Sequence, residues 1–364
     1  MEKINLGVIF GGKSAEHEIS IRSAISIIEA LDRNKYNIIL ISIDKNGRWY
    51  LKQEQQFLSE FKALKAVENR DISPEIHITK QNDLINTVDK NTNQILNHLD
   101  VVFPILHGTF GEDGTIQGML KALDIPFVGV DILASSVGMD KDVAKRLWRD
   151  AGIPVADFIC VHKKELAKLK FNEVKDKLGL PIFVKPANAG SSVGVHKVHN
   201  LLEFDSAVSD AFQYDKKILI EEAIKGREVE CAILGNEYPK ASLIGEIVSQ
   251  VEFYSYEAKY IDADGARLII PASITKEEEQ TIQEAAIKAF QAIECEGLAR
   301  VDFFLKPDGT IVINEINTMP GFTSISMYPK LWEASGIPYF ELLDHLIELA
   351  ILRHQRDTKL KTSF

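Results

Sequence analysis

The sequence predicts an α/β protein: a parallel sheet at the N-terminal end, then mixed α+β structure containing hairpins. Three observations carry that reading. Residues 4–10 and 38–43 are short apolar runs of buried-strand character, joined by an amphipathic helical segment ending near Leu31, which makes a βαβ unit. From Pro154 onward strands and helices mix and hairpins appear. The length of 364 residues is too great for one ordinary core and predicts two or three domains.

Taken in order, the first strand ends in Gly11-Gly12, the turn into the first helix. Residues 52–98 are polar and weakly periodic, which predicts an elaboration at the edge of the first domain rather than core. Residues 101–106 form another strand, ending in the glycine-bearing turn HGTFGEDG (107–114). Function in open parallel sheets gathers at the carboxyl ends of strands, where both turns lie. A short strand at 126–129 precedes one helix over 135–152, closed by Gly152. The central block holds LPIFVKP (180–186), a glycine-serine loop, VGVHKV (193–198), a helix near 202–213 and the strand KILIEEAI (217–224). The last block holds a tyrosine-rich stretch (252–260), a helix over 276–293, a hairpin and a closing helix near 338–352.

Composition excludes several classes of function. A hydrophobic fraction of 45% and a charged fraction of 26% are those of a globular protein, and the net charge is −11 with no long basic run. That disfavours a nucleic-acid or anionic-membrane partner while leaving room for a local basic nucleotide pocket. No stretch approaches the roughly 20 apolar residues of a membrane span, and the N-terminal apolar run is too short for a secretory segment. Cys160, Cys231 and Cys295 are odd in number, far apart and without metal-site spacing. A reduced, cytoplasmic protein with cysteines as core fillers is expected.

Residues 7–14, GVIFGGKS, match the letters of a P-loop. The match fails physically, because Val8-Ile9-Phe10 is the end of an apolar strand and cannot curl its N–H groups around a phosphate. Glu16 beside this turn either stabilises a helix start or holds an ammonium group. The loop ANAGSSVG (187–194) is a better phosphate cradle, with small side chains, N–H and hydroxyl donors, and Lys185 on the preceding strand. The strand bearing Glu221 and Glu222 is either an amphipathic edge or a surface for a base and ribose. His107 is either a hydrogen-bonded core histidine or a ligand contact.

The richest stretch is residues 297–326, GLARVDFFLKPDGTIVINEINTMPGFTSIS. Two strand-like runs, 298–305 and 310–316, flank Pro307-Asp308-Gly309, which predicts a β-hairpin. Alternation puts Arg300 and Asp302 on one face of the first strand, and Glu315 and Asn317 on one face of the second. Such charges on an apolar sheet must hold one another, a metal or a ligand. A salt-bridged surface ladder and a Mg²⁺ site shared with phosphates both satisfy that requirement.

The ordered set GGKSAEHEIS, HGTFGEDGTIQG, MDK, VKPANAGSSVGV, YSYEAKY, ARVDFF and NEINTMPGFTSIS closely resembles the D-alanine–D-alanine ligases of the ATP-grasp superfamily, in their longer form, over roughly residues 4–350. The resemblance implies three α/β domains, 1–138, 139–226 and 227–364, with ATP clasped between the last two. It implies ATP contacts from Lys141, Lys185, Ser191, Ser192, Glu221, Glu222, Ile224, Glu228 and Lys259. Position 222 is a lysine in some relatives. It implies two Mg²⁺ (or Mn²⁺) ions on Asp302, Glu315 and Asn317. Glu16 would hold the ammonium of the first D-alanine with His107 nearby, and Ser326 the carboxylate of the second. Arg300 and the N–H of Gly321 would meet the reaction's oxyanion, and a Glu16–Ser191–Tyr260 network is the candidate for proton removal. A tyrosine at 260 marks the dipeptide-forming version, as against relatives that use D-serine or D-lactate second. A homodimeric cytoplasmic enzyme of peptidoglycan precursor synthesis, serving cell shape, is the role so implied.

Overall fold

The computed structural model describes residues 2–62, 73–249 and 266–361, whose strands form four sheets. Strands β1 (Ile4–Gly11), β2 (Tyr36–Ile43), β3 (Trp49–Lys52) and β7 (Val101–Ile105) make the first, in the order β3–β2–β1–β7. β1 runs parallel to both β2 and β7, so the expected βαβ unit is present, with α1 (His17–Ala30) as its crossover. Both faces of this sheet are covered, which is why β1 reads as a continuous apolar run rather than an alternating one. A buried serine of α1 ties β1 to β7: Ser20 Oγ accepts from the Gly11 N–H at 2.7 Å and donates to the Ile105 carbonyl.

The polar region after β3 carries more core than its composition predicts. After α2 (Glu54–Lys62), strands β4 (Ile76–Gln81), β5 (Leu84–Asp89) and β6 (Ile95–Leu99) form an antiparallel meander. Its inward Ile76, Ile85 and Leu99 are buried in one cluster with Ile39, Ile41 and Val102 of the parallel sheet. Only one face of the meander is apolar, so its hydrophobic content is diluted by the solvated face.

The single helix expected over 135–152 is two: α4 (Ile132–Met139) and α5 (Lys141–Asp150), following α3 (Thr115–Ala122). Asp140 breaks them. Its backbone is extended (φ −86°, ψ 96°) and its carboxylate accepts from the Val143 N–H at 3.1 Å, capping α5. The break sets Lys141 at the first position of a new helix. The short strand expected at 126–129 is a single bridge between Val102 and Phe127.

The second sheet has the order β10–β9–β11–β8, from β8 (Phe158–His162), β9 (Ile182–Pro186), β10 (His196–Val198) and β11 (Lys217–Glu222), all antiparallel. Helices α6 (Phe171–Leu178) and α7 (Leu201–Tyr214) cover one side. The third is a five-stranded antiparallel sheet, β14–β13–β12–β15–β16, from β12 (Arg227–Gly235), β13 (Lys240–Ser249), β14 (Ala266–Ile269), β15 (Gly297–Leu305) and β16 (Ile311–Asn317). Helix α8 (Lys276–Ala292), capped by a Thr275–Glu278 box, packs against it. The chain closes with α9 (Met327–Ala334) and α10 (Tyr339–Asp357). Leu342, Leu343 and Leu346 of α10 join Phe322, Tyr328 and the parallel-sheet residues Leu6, Val8 and Phe103 in one cluster. The end of the chain is thereby packed onto its beginning.

Trp148 joins α5 to α8, fully buried with its indole N–H donating to the Ala289 carbonyl at 3.1 Å. Trp148→Ala is expected to cost about 3–5 kcal/mol in denaturant unfolding, the usual cost of a large aromatic cavity. A loss under about 1 kcal/mol would contradict this packing.

Candidate active site

One rim is built at the carboxyl ends of β1 and β7. Glu16 is buried just ahead of α1, and its carboxylate accepts from the Ser191 hydroxyl of the distant glycine-serine loop. Lys13 is not part of a phosphate cradle: its ammonium lies 5.1 Å from the centre of the Phe110 ring. Gly108 has φ +71°, and any side chain there would collide with the Glu16 carboxylate, so the turn after β7 needs glycine. His107 is buried, with Nδ1 3.1 Å from the Met319 carbonyl and Nε2 3.2 Å from Ser23 Oγ. Both ring nitrogens are committed to protein groups, and burial holds the imidazole below its usual pKa against the opposing pull of Glu16. Glu112 accepts from the Gly108 N–H at 2.5 Å and from the backbone of Met319. Burial first, then the neighbouring Glu16 charge, pushes its carboxyl up to about 8 despite those bonds.

The second wall is the loop 187–194 and what anchors it. Ser191 and Ser192 both adopt left-handed backbone (φ 49° and 59°), which turns the loop over towards Glu16. Lys141 fixes the loop to α5, its N–H donating to the Ala187 carbonyl at 3.0 Å and its ammonium to Ala189 at 2.6 Å. Asn188 donates to Asp215 from backbone and side chain, each at 2.8 Å. Lys217 grips Asp140 at 2.6 Å and Asp142 at 3.2 Å, locking the start of α5 against β11.

Beneath the loop lies a buried charge cluster. Glu221 sits between Lys185, at 2.8 Å, and Lys145 of α5, at 3.3 Å. Burial alone would raise the Glu221 carboxyl, but the two ammonium groups outweigh it and hold it below its ordinary range. Lys145 is 1% exposed, and burial draws it down against the pull of Glu221. Glu222 is tied back to the Asp157 N–H at 2.8 Å, while Ile224, in the connection after β11, and Glu228, on β12, are half-buried.

The third wall is the hairpin. β15 and β16 pair with Asp302 opposite Glu315 and Arg300 opposite Asn317, with a bulge after Asp302, as the alternation predicts. Arg300 grips Asp302 through two nitrogens at 2.8 and 2.7 Å, and lies 2.8 Å from Glu230 on the adjacent β12. Asn317 donates to Asp302 at 3.1 Å. Two carboxylates and an amide oxygen on one patch are hard donors that fit Mg²⁺ when phosphate oxygens complete the shell. Among the described residues no three His, Cys, Asp or Glu side chains are arranged so that they alone could hold a metal ion.

After β16 the chain turns through Gly321 to Ser326, which precedes α9. A side chain at Gly321 would come within 2.7 Å of Ser326 Oγ, so the two positions are adjacent in space. Lys259 and Tyr260 lie outside the described residues.

Glu16, Ser191, Lys141, Lys185, the hairpin acids and Gly321 thus come from separate parts of the chain. Family models for the N-terminus and the C-terminus of D-Ala–D-Ala ligases match residues 5–130 and 147–348. The chain belongs to the D-alanine–D-alanine ligase family. A relative from Oceanobacillus iheyensis is 53% identical over 361 residues, covering 99% of each chain. Among solved structures, the D-alanine–D-alanine ligase of Coxiella burnetii is 40% identical with a TM-score of 0.85, over 99% of this chain and 97% of that one. The VanG D-Ala:D-Ser ligase of Enterococcus faecalis is 36% identical with a TM-score of 0.84, over 96% and 100%. The fold is the ATP-grasp fold of these ligases, and the family acts on small substrates with ATP. No helix among the described residues is long and apolar enough to cross a membrane.

Sequence reasoning missed Lys145, Glu112, Glu230 and Ser23. Lys145 sits in the DVAKRLW helix at a spacing indistinguishable from a solvated face. Glu230 alternates correctly with Glu228 on β12, and its pairing with Asp302 could have been found only once β12 was known to lie beside β15.

Glu112 has a pH signature. Its native carboxyl, raised to about 8, keeps a proton that the unfolded chain has released from about pH 4.5. Folding stability from this group is therefore full below pH 4.5 and falls as pH rises towards 8. Thermal unfolding of wild type from pH 5 to 7.5 should decline more steeply than that of Glu112→Gln. Parallel profiles would contradict the assignment.

Proposed function

We propose that this protein joins two D-alanines into D-alanyl-D-alanine at the expense of ATP, giving ADP and phosphate. The observation that supports this reading is that Lys145, which shares Glu221 with Lys185 beneath the loop held by Lys141, also feels the charge of Glu315 on the Asp302–Glu315–Asn317 patch. The full-length relatives at 53%, 51% and 49% identity are all named D-alanine–D-alanine ligases, which favours D-alanine as second substrate.

A carboxylate is a poor acylating agent, and phosphorylation converts it to a good one. The carboxylate of the first D-alanine attacks the γ-phosphorus, a new acyl O–P bond forms and the bond to the β-phosphate oxygen breaks, releasing ADP. Lys141, Lys185 and Lys259 hold the triphosphate, with Ser191 and Ser192 over it and Glu221, Glu222, Ile224 and Glu228 at the base and ribose. The Lys145–Glu221–Lys185 cluster keeps the Glu221 carboxylate ionised as a pure acceptor. Asp302, Glu315 and Asn317 would hold two Mg²⁺ ions, which would supply positive charge for the transferring phosphoryl group. Glu16 receives the ammonium of the first D-alanine, beside His107, and Ser326 the carboxylate of the second.

The amine of the second D-alanine then forms the C–N bond, and the acyl C–O bond to phosphate breaks. The ammonium proton leaves through the Glu16–Ser191 hydrogen bond, with Tyr260 as the further member of that network. The tetrahedral oxyanion is met by Arg300 and the Gly321 N–H; one such donor is worth about 10²–10³ in rate. Arg300 is pre-oriented by Glu230 and Asp302, so little reorganisation accompanies the step. Domains divided at 138/139 and 226/227, a homodimer, and a cytoplasmic role in peptidoglycan precursor synthesis complete the proposal.

Phosphate release from ATP should depend on D-alanine and fall to background with L-alanine. Equal rates with both, or none with either, would overturn the reading.

A further inference from the structure

The segment Thr318-Met319-Pro320-Gly321-Phe322 leaves β16 with no ladder to hold it, and Pro320 has no N–H to contribute. A donor on such a loop is only as well aimed as the loop is fixed. Its fixings come from the other end of the chain. The Met319 carbonyl meets His107 Nδ1 at 3.1 Å, and the Met319 backbone also bonds the Glu112 carboxylate. The Phe322 N–H donates to Ser23 Oγ at 3.3 Å, and Ser23 Oγ lies 3.2 Å from His107 Nε2. The Phe322 carbonyl accepts from the Tyr339 hydroxyl at 2.8 Å.

The donor and acceptor roles in this chain are forced. A carbonyl only accepts, so His107 Nδ1 carries the hydrogen towards Met319. The buried ring is held neutral, so Nε2 presents a lone pair and takes the Ser23 hydroxyl hydrogen. The Ser23 oxygen is then left to accept from Phe322. Every bond runs one way, each partner is buried, and chains of this kind stiffen what they connect. Ser23 is fully buried on α1, one turn after the Ser20 that pins β1 and β7, so the hydroxyl rests on a rigid element. Below the loop, the Phe322 ring packs edge-on against Phe103 at 5.6 Å.

Met319 and Phe322 bracket Gly321, the backbone donor assigned above to the oxyanion. We propose that Ser23 and His107 act as a clamp that aims the Gly321 N–H, making both of them positioning residues for the second half-reaction. His107 then serves the reaction through Met319 and Ser23 rather than by giving a nitrogen to substrate. The inference rests on the functional reading of Gly321 given above.

Ser23→Ala removes both the acceptor for Phe322 and the donor to His107 while keeping helix propensity. The expected result is a kcat lower by about 10–100-fold, less than outright loss of an oxyanion donor. The KM for ATP should stay within about twofold, because the clamp touches neither the phosphate loop nor Lys185. Affinity for a tetrahedral phosphinate analogue of the dipeptide should fall in parallel with kcat. Ser23→Cys, which keeps a weak donor and acceptor in place, should lie between wild type and alanine, and it carries the test if the alanine variant fails to fold. A folded variant with lowered Tm but wild-type kcat and phosphinate affinity would show a merely structural serine and overturn the clamp. Wild-type protein is assayed alongside: absence of D-alanine-dependent phosphate release there overturns the functional reading itself, whereas activity there with unaffected variants overturns the clamp alone.

Discussion

Everything at this site depends on placing Arg300, Asp302, Glu315 and Asn317 on one patch of an otherwise apolar sheet. The cross-strand register does this, with Asp302 opposite Glu315 and Arg300 opposite Asn317. A slip of one residue in either strand would turn its two polar residues into the hydrophobic core packed under α8. Charges so placed are costly unless paired, and Arg300 is paired twice, with Asp302 and with Glu230. Removing the arginine would leave two carboxylates close together with nothing between them.

The hairpin becomes a site only because distant segments are delivered to it. α10 packs the chain's end onto the parallel sheet, with Leu342 and Leu346 in one cluster with Leu6 and Val8. That shared core brings the turns after β1 and β7, bearing Glu16, His107 and Glu112, against the loop through Gly321. The glycine-serine loop arrives from the second sheet and closes the contact through Ser191 and Glu16. Two clusters thus do similar jobs: Lys217 with Asp140 and Asp142 fixes the start of α5, from which Lys141 holds the loop 187–194, and Ser23 with His107 holds the segment 318–322.

What could be seen in the sequence follows the range of the interactions. The βαβ unit, the hairpin and the non-functional GVIFGGKS match were legible, because each is set by period and turn chemistry within about 30 residues. The faces of β15 and β16 came out correctly for the same reason, Pro307-Asp308-Gly309 fixing where the strand reverses. The break at Asp140 was not legible, because a single capping carboxylate competes with a helical pattern that is favourable on both sides. The meander at 76–99 was underrated, since one solvated face dilutes the apolar signal of the other. Most of the functional set came from resemblance rather than periodicity. Lys145, Glu230 and Ser23 escaped both routes, since their partners Glu221, Asp302 and Phe322 are remote and only the folded chain brings them into contact.

The hairpin patch, on the proposed reading, is a divalent-metal site completed by nucleotide phosphates. Its most direct test is the count of Mn²⁺ ions bound in the presence of ATP, read by electron paramagnetic resonance, in wild type and in Glu315→Gln, which keeps shape and removes charge. The account predicts two ions per chain in the wild type and the loss of at least one in the variant, with unchanged thermal unfolding in the absence of metal. Two ions bound equally tightly by Glu315→Gln would contradict it.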